Sequence, residues 1–100
     1  MEDDHHIHEV DLFEAITLIE DAEDAKNFFI DLCTPAEIKA FVERWKVCQL
    51  LNEKKYSYRQ ISEMTRASLT TIGRVARFLN EENYGGYRKM LEKISLSQDE

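Results

Sequence analysis

Between Arg66 and Leu79 the chain reads RASLTTIGRVARFL, rich in hydroxyl and guanidinium groups and free of acid. Ser68, Thr70, Thr71, Arg74 and Arg77 carry groups that bond phosphate oxygens and base edges. Threonine methyls suit the thymine methyl, and arginine bonds guanine. Arg59, just upstream, is a cation of the kind that holds a phosphate. This is the chemistry of recognition rather than reaction. No motif sets a nucleophile beside a base and no glycine-rich phosphate loop is present, so catalysis is not expected. His5, His6 and His8 could bind Zn²⁺ or Ni²⁺, but a terminal cluster without a fourth ligand is poorly preorganised, and no metal site is expected. Cys33 and Cys48 lack metal-type spacing and read as reduced, buried thiols of a cytoplasmic protein.

The distribution of charge sharpens this reading. The net charge of the 100 residues is −7, yet it is unevenly divided. Residues 1–43 hold thirteen acids against Lys26 and Lys39, a balance of −11. Residues 44–77 hold eight lysines and arginines against Glu53 and Glu63, a balance of +6. A basic segment in an acidic chain points to a polyanionic partner.

Those side chains need a scaffold, and the pattern is helical throughout. With 43% hydrophobic and 33% charged residues, one proline and three glycines, the chain reads as a single all-α domain over 1–100, with 1–6 and 95–100 expected to be flexible. No apolar run approaches the roughly 20 residues that span a bilayer, and the acidic N-terminus is unlike a targeting peptide. Apolar periodicity predicts helices over 7–20 and 23–32. In "TPAE", Thr34 can cap, Pro35 takes the first helical position and Glu37 can complete a capping box. The helix that follows should run to about Asn52. Ile38, Phe41, Val42, Trp45 and Cys48 form one stripe, widened by Val47, Leu50 and Leu51, so burial on several sides is expected. A chain this short covers so much apolar surface most economically with a second copy, which predicts a homodimer.

Ser57 and Gln60 open a short helix that ends near Thr65, and Ser68 caps the next one, which begins at Leu69. Two short helices joined by such a turn form a helix-turn-helix over about 58–80, and its second helix can enter the major groove of DNA. Ile61, Thr65, Ala67, Ile72 and Val75 fall at its packed positions, with small Ser62 where the helices approach. Gly73 adds little bulk toward a surface. Arg66 stands where such turns usually place glycine, so either the turn differs or a strained residue is tolerated. A last short helix is expected around Tyr87, Met90, Leu91 and Ile94.

"LCTPAEIKAFVERWKVCQLL" followed by "YSYRQISEMTRASLTTIGRVARFLN" resembles the Trp repressor superfamily, and within it the TrpR-like YerC/YecD family. The resemblance covers about residues 12–94. It implies about six helices in an intertwined homodimer that binds double-stranded DNA as a transcriptional regulator, most simply a repressor. It also implies a ligand pocket in which Thr34, Arg44 and Arg74 match the positions that hold L-tryptophan. Val75 and Phe78 replace a glycine and a serine there, so the pocket is expected to be filled and no cofactor is expected. A tryptophan-responsive repressor, or a protein-interaction module that keeps the fold without binding DNA, are the alternatives.

Overall fold

The computed structural model describes residues 10–98, so His5, His6 and His8 lie outside the described residues. Six helices and no strand are present among them: α1 (Leu12–Ile16), α2 (Ala22–Leu32), α3 (Pro35–Glu53), α4 (Tyr58–Thr65), α5 (Leu69–Asn80) and α6 (Gly86–Gln98). They divide between two compact units, residues 1–38 and 39–100. None of the six is long and apolar enough to cross a membrane.

In the first unit, hydrogen bonds at the helix starts set the boundaries. Asp11 accepts from the Glu14 N–H at 2.8 Å, and Glu14 accepts in return from the Asp11 N–H at 3.2 Å. This capping box starts α1 at Leu12, well inside the 7–20 span that periodicity predicts. Thr17 then stops it: its Oγ1 donates to the Glu14 carbonyl at 2.7 Å, and the next two N–H groups bond three residues back rather than four. Polar side chains thus override the apolar pattern and leave a helix of five residues. Asp21 caps α2 through the Asp24 N–H at 2.8 Å. The Thr34–Glu37 box opens α3 as its sequence requires, with bonds of 3.1 and 2.8 Å.

The buried core belongs to the second unit. Val47 and Cys48 of α3 meet Ile61 of α4, Ala67 of the turn, and Ile72, Val75 and Leu79 of α5. Trp45, Leu51, Tyr56, Tyr87 and Leu91 pack partly buried around them. The earlier turns of α3 leave Phe41 and Val42 exposed on the single chain. Only Val47 and Cys48 of α3 are fully enclosed. α6 continues to Gln98. The Arg88 guanidinium ties three helices together. It donates to Asn52 at the end of α3 at 3.0 Å and to Asn80 at the end of α5 at 2.8 Å. One planar fork satisfies two amide carbonyls, fixing the far end of α5 against α3.

Both cysteines are free, Cys48 buried and Cys33 half-buried. Burial pushes the Cys48 thiol up to about 11, with Arg88 pulling weakly the other way. The neutral thiol is the form that the fold favours. Its contribution to stability is therefore complete below pH 9.0, the thiol's ordinary value, and is lost as pH rises through about 11. Melting temperatures taken near pH 8 and near pH 10.5 should fall further in the parent than in Cys48→Ala. Equal falls would show that the thiol carries none of the alkaline loss.

Candidate nucleic-acid interface

Ser57 opens α4 with a capping box, accepting from the Gln60 N–H at 3.1 Å while Gln60 accepts from the Ser57 N–H at 2.8 Å. The helix ends where Arg66 turns left-handed, at φ 68° and ψ 7°. Of the two possibilities the sequence leaves open at Arg66, strain is the one observed. A non-glycine residue there costs about 1–2 kcal/mol, and four hydrogen bonds hold it in place. The Arg66 N–H donates to the Ser62 carbonyl at 2.7 Å. Ser62 Oγ donates to the Ala67 carbonyl at 2.7 Å. Thr65 Oγ1 donates to the Ile61 carbonyl at 2.7 Å and accepts from the Ala67 N–H at 3.1 Å. With Ala67 buried beneath it, the turn is closed by polar groups from α4 alone.

Ser68 starts α5 by accepting from the Thr71 N–H at 3.0 Å. Two stripes then separate on this helix. Ile72, Val75, Ala76 and Leu79 are buried at i, i+3, i+4 and i+7. Thr70, Gly73, Arg74 and Arg77 repeat the same spacing on the other side, and Thr70 and both arginines are exposed. The first turn of α5 carries no acid, so the positive end of its dipole is uncompensated by a carboxylate. A Cβ at Gly73 would meet nothing within 4 Å, so no neighbour in this chain requires glycine there.

The sequence-derived site residues fall into three settings. Thr70, Arg74 and Arg77 share the outward stripe, and Arg59 is exposed in the first turn of α4. Ser68 and Thr71 serve the start of α5, where Ser68 Oγ donates to Thr71 Oγ1 at 3.1 Å. The Thr71 hydroxyl keeps its own proton to donate. Thr34 is occupied as the cap of α3.

Around Arg74 the structure adds aromatic residues that the sequence reading assigned no such role. The Arg74 guanidinium lies 4.4 Å from the Phe78 ring centroid, and that of Arg77 lies 5.0 Å from the same centroid. Phe78 stacks on Tyr84 at 6.1 Å, and Arg77 Nε pairs with Glu82 at 3.5 Å. The four-residue spacing of Arg74 and Phe78 was the available signal. Arg44, half-buried on α3, lies 5.8 Å from the Phe41 ring centroid. It shares an influence on Tyr87 with Arg74. Burial and Cys48 push the Tyr87 hydroxyl above its ordinary pKa, while both arginines oppose the rise.

Val75 is buried, but Phe78 does not fill the neighbouring space. A concavity of about 530 Å³ opens there, lined by Arg74, Val75, Phe78, Tyr84, Gly86 and Tyr87. Val75 and Phe78 both form part of its wall. Thr34 and Arg44 are not among its lining residues.

An all-helical chain with a helix-turn-helix, presenting an outward stripe of threonine, glycine and arginine, is the class that this fold and site define. The sequence signature of the Trp repressor protein matches residues 8–95, and the chain belongs to that family. It is 37% identical over 89 residues to YerC, an uncharacterized protein of Bacillus subtilis strain 168, covering 89% of this chain and 84% of YerC. Among solved structures it is similar to a TrpR-like protein from Eubacterium eligens, with a TM-score of 0.78 and 40% identity over 84% of each chain. A Trp repressor candidate from Staphylococcus aureus gives a TM-score of 0.77 and 36% identity, over 84% of this chain and 82% of that one.

Arg66→Gly tests the strained turn. Removing the left-handed penalty gains about 1–2 kcal/mol, and the freer unfolded chain takes back about 0.4–1 kcal/mol. The variant should therefore be more stable, by about 1 kcal/mol on the same principles, in chemical denaturation. A loss of stability would show that the Arg66 side chain contributes more than its backbone costs.

Proposed function

We propose that this chain is a sequence-specific, double-stranded DNA-binding transcriptional regulator, most simply a repressor, acting in the cytoplasm as a homodimer through its helix-turn-helix. The observation that carries this reading is the outward stripe of α5, where Thr70, Gly73, Arg74 and Arg77 stand opposite the buried stripe and no acid intrudes. In this reading Thr70 and Thr71, in the first turn, meet base edges. Arg59, Arg74 and Arg77 meet phosphates, and Ser68, its proton donated to Thr71, holds that threonine in place. Gly73 lets the helix lie close to the duplex. No reacting group is required, and the chain is proposed to be a binder rather than an enzyme.

The homodimer is supported by apolar side chains left exposed on the single chain: Val10, Phe13, Leu18, Ile30 and Leu32 in the first unit, and Phe41 and Val42 on α3. No small-molecule effector is proposed. L-tryptophan in the concavity beside α5 would find Arg74 for its carboxylate, but the lining side chains include no acid for its ammonium group.

Retention on duplex DNA that weakens steeply with salt is the first expected result, because phosphate binding releases counterions. Arg59→Ala and Arg77→Ala should each weaken all duplexes alike and lower the salt slope by about one unit. Thr70→Ala should change sequence preference, at about 1–3 kcal/mol for a lost base contact. Gly73→Ala separates fold from function: it should stabilise the protein by about 0.5–1 kcal/mol yet weaken binding. Selection from random duplexes should return paired half-sites, and sedimentation should give about twice the chain mass of 11.8 kDa. A parent protein that binds no duplex even at low salt sinks the DNA-binding reading.

A further inference from the structure

We propose that Phe78 is a positioning residue for DNA binding: its ring holds the Arg74 and Arg77 guanidinium groups together as a two-pronged phosphate clamp. The inference rests on the DNA-binding reading and adds a residue that makes no contact with DNA itself.

Two like charges on an exposed helix face repel, and long arginine side chains have many rotamers to lose when they are fixed. Left to solvent, Arg74 and Arg77 would separate and each would have to be ordered when DNA arrived. Instead both guanidinium groups lie against one aromatic ring, at 4.4 and 5.0 Å from its centroid. The negative face of the ring offsets part of their repulsion. A guanidinium drawn to a ring through its charge still has five N–H donors, more than the ring can engage, and a phosphate oxygen can accept from the rest.

The ring has an aromatic neighbour, Tyr84, which is itself largely exposed. Phe78 is half-buried on α5 and lies nearly parallel to Tyr84 at 19°, with 6.1 Å between centroids. Tyr84 stands in the loop before α6, where Gly85 adopts φ 72°. Glu82 of the same loop takes Arg77 through Nε at 3.5 Å. Among the described residues Arg74 has no carboxylate within salt-bridge distance, so the two prongs together keep excess positive charge. An aliphatic side chain of similar bulk at position 78 would preserve packing on α5 but offer no quadrupole. That difference separates positioning from mere space-filling.

The test compares Phe78→Leu with Phe78→Trp, in the parent and in an Arg74→Ala/Arg77→Ala background, with circular dichroism confirming the fold. In free protein, NMR should show ring-current upfield shifts of the Arg74 and Arg77 δ-methylene protons, kept in Phe78→Trp and lost in Phe78→Leu. Phe78→Leu should weaken every duplex about 5- to 30-fold, because two rotamer-rich arginine side chains must then be ordered on binding. Phe78→Trp should bind as the parent does. In the double-alanine background Phe78→Leu should have no further effect. The clamp is overturned if those shifts are missing from the free parent. It is also overturned if Phe78→Leu binds like the parent, or weakens binding equally when both arginines are absent. A parent that shows the shifts but binds no duplex removes the DNA-binding reading and the clamp's role with it, an outcome distinct from the others.

Discussion

The reversal of the chain between Thr65 and Leu69 is the constraint on which the site depends. Within those few residues α4 must stop, α5 must start, and both must keep their apolar sides on one core. Arg66 accepts a left-handed backbone, and the hydroxyls of Ser62 and Thr65 satisfy the peptide groups that this exposes. Ala67 drops into the core at the middle of the turn, which places Ser68 to cap and Leu69 to begin the second helix. A different turn would rotate α5 about its axis. Since Ile72, Val75, Ala76 and Leu79 are buried, that rotation would expose apolar surface and bury Arg74 or Arg77, a cost of several kcal/mol. The turn and the core therefore fix the outward stripe jointly.

Electrostatics then decides what the stripe can meet. Arg88, the cation that joins three helices, is bound by two neutral amides. Arg74 and Arg77 share an aromatic ring, and among the described residues only Arg77 of the two has a carboxylate partner. The second unit thus satisfies its arginines largely without cancelling their charge. Most of the acids lie earlier in the sequence, in residues 1–43. A protein arranged in this way can be acidic in total and still offer one surface attractive to a polyanion.

Local chemistry was legible in the sequence, and packing was less so. The boxes at Thr34 and Ser57, the cap at Ser68 and the helix-turn-helix at Tyr58–Asn80 all appear where their residues predict, because such signals need only three or four neighbours. A capping box of the same kind at Asp11 and Glu14 starts α1 later than the apolar pattern alone predicts. The exposed early turns of α3 show the limit of periodicity: it tells which side is apolar, not what covers it. From bulk alone, Phe78 is expected to fill space. Its effect on two arginines depends on where its ring lies, and spacing alone gave only the contact with Arg74.

Three departures from local preference lie in or beside α5. Arg66 is a bulky residue in a conformation that suits glycine, and Gly73 is a poor helix former in the middle of α5. The first turn of α5 lacks the acid that would stabilise it, in a chain that has twenty to spare. Packing within this chain explains none of the three, since Gly73 faces open space and Arg66 is exposed. Each becomes intelligible if α5 must lie close against an anionic surface, where a Cβ at Gly73 would intrude, an acid would repel, and a cation in the turn would help. Locally unfavourable choices that cluster on one face are what a binding surface produces when it sacrifices some stability. The face they share is the start and outward side of α5, the surface that the DNA-binding reading assigns to the duplex.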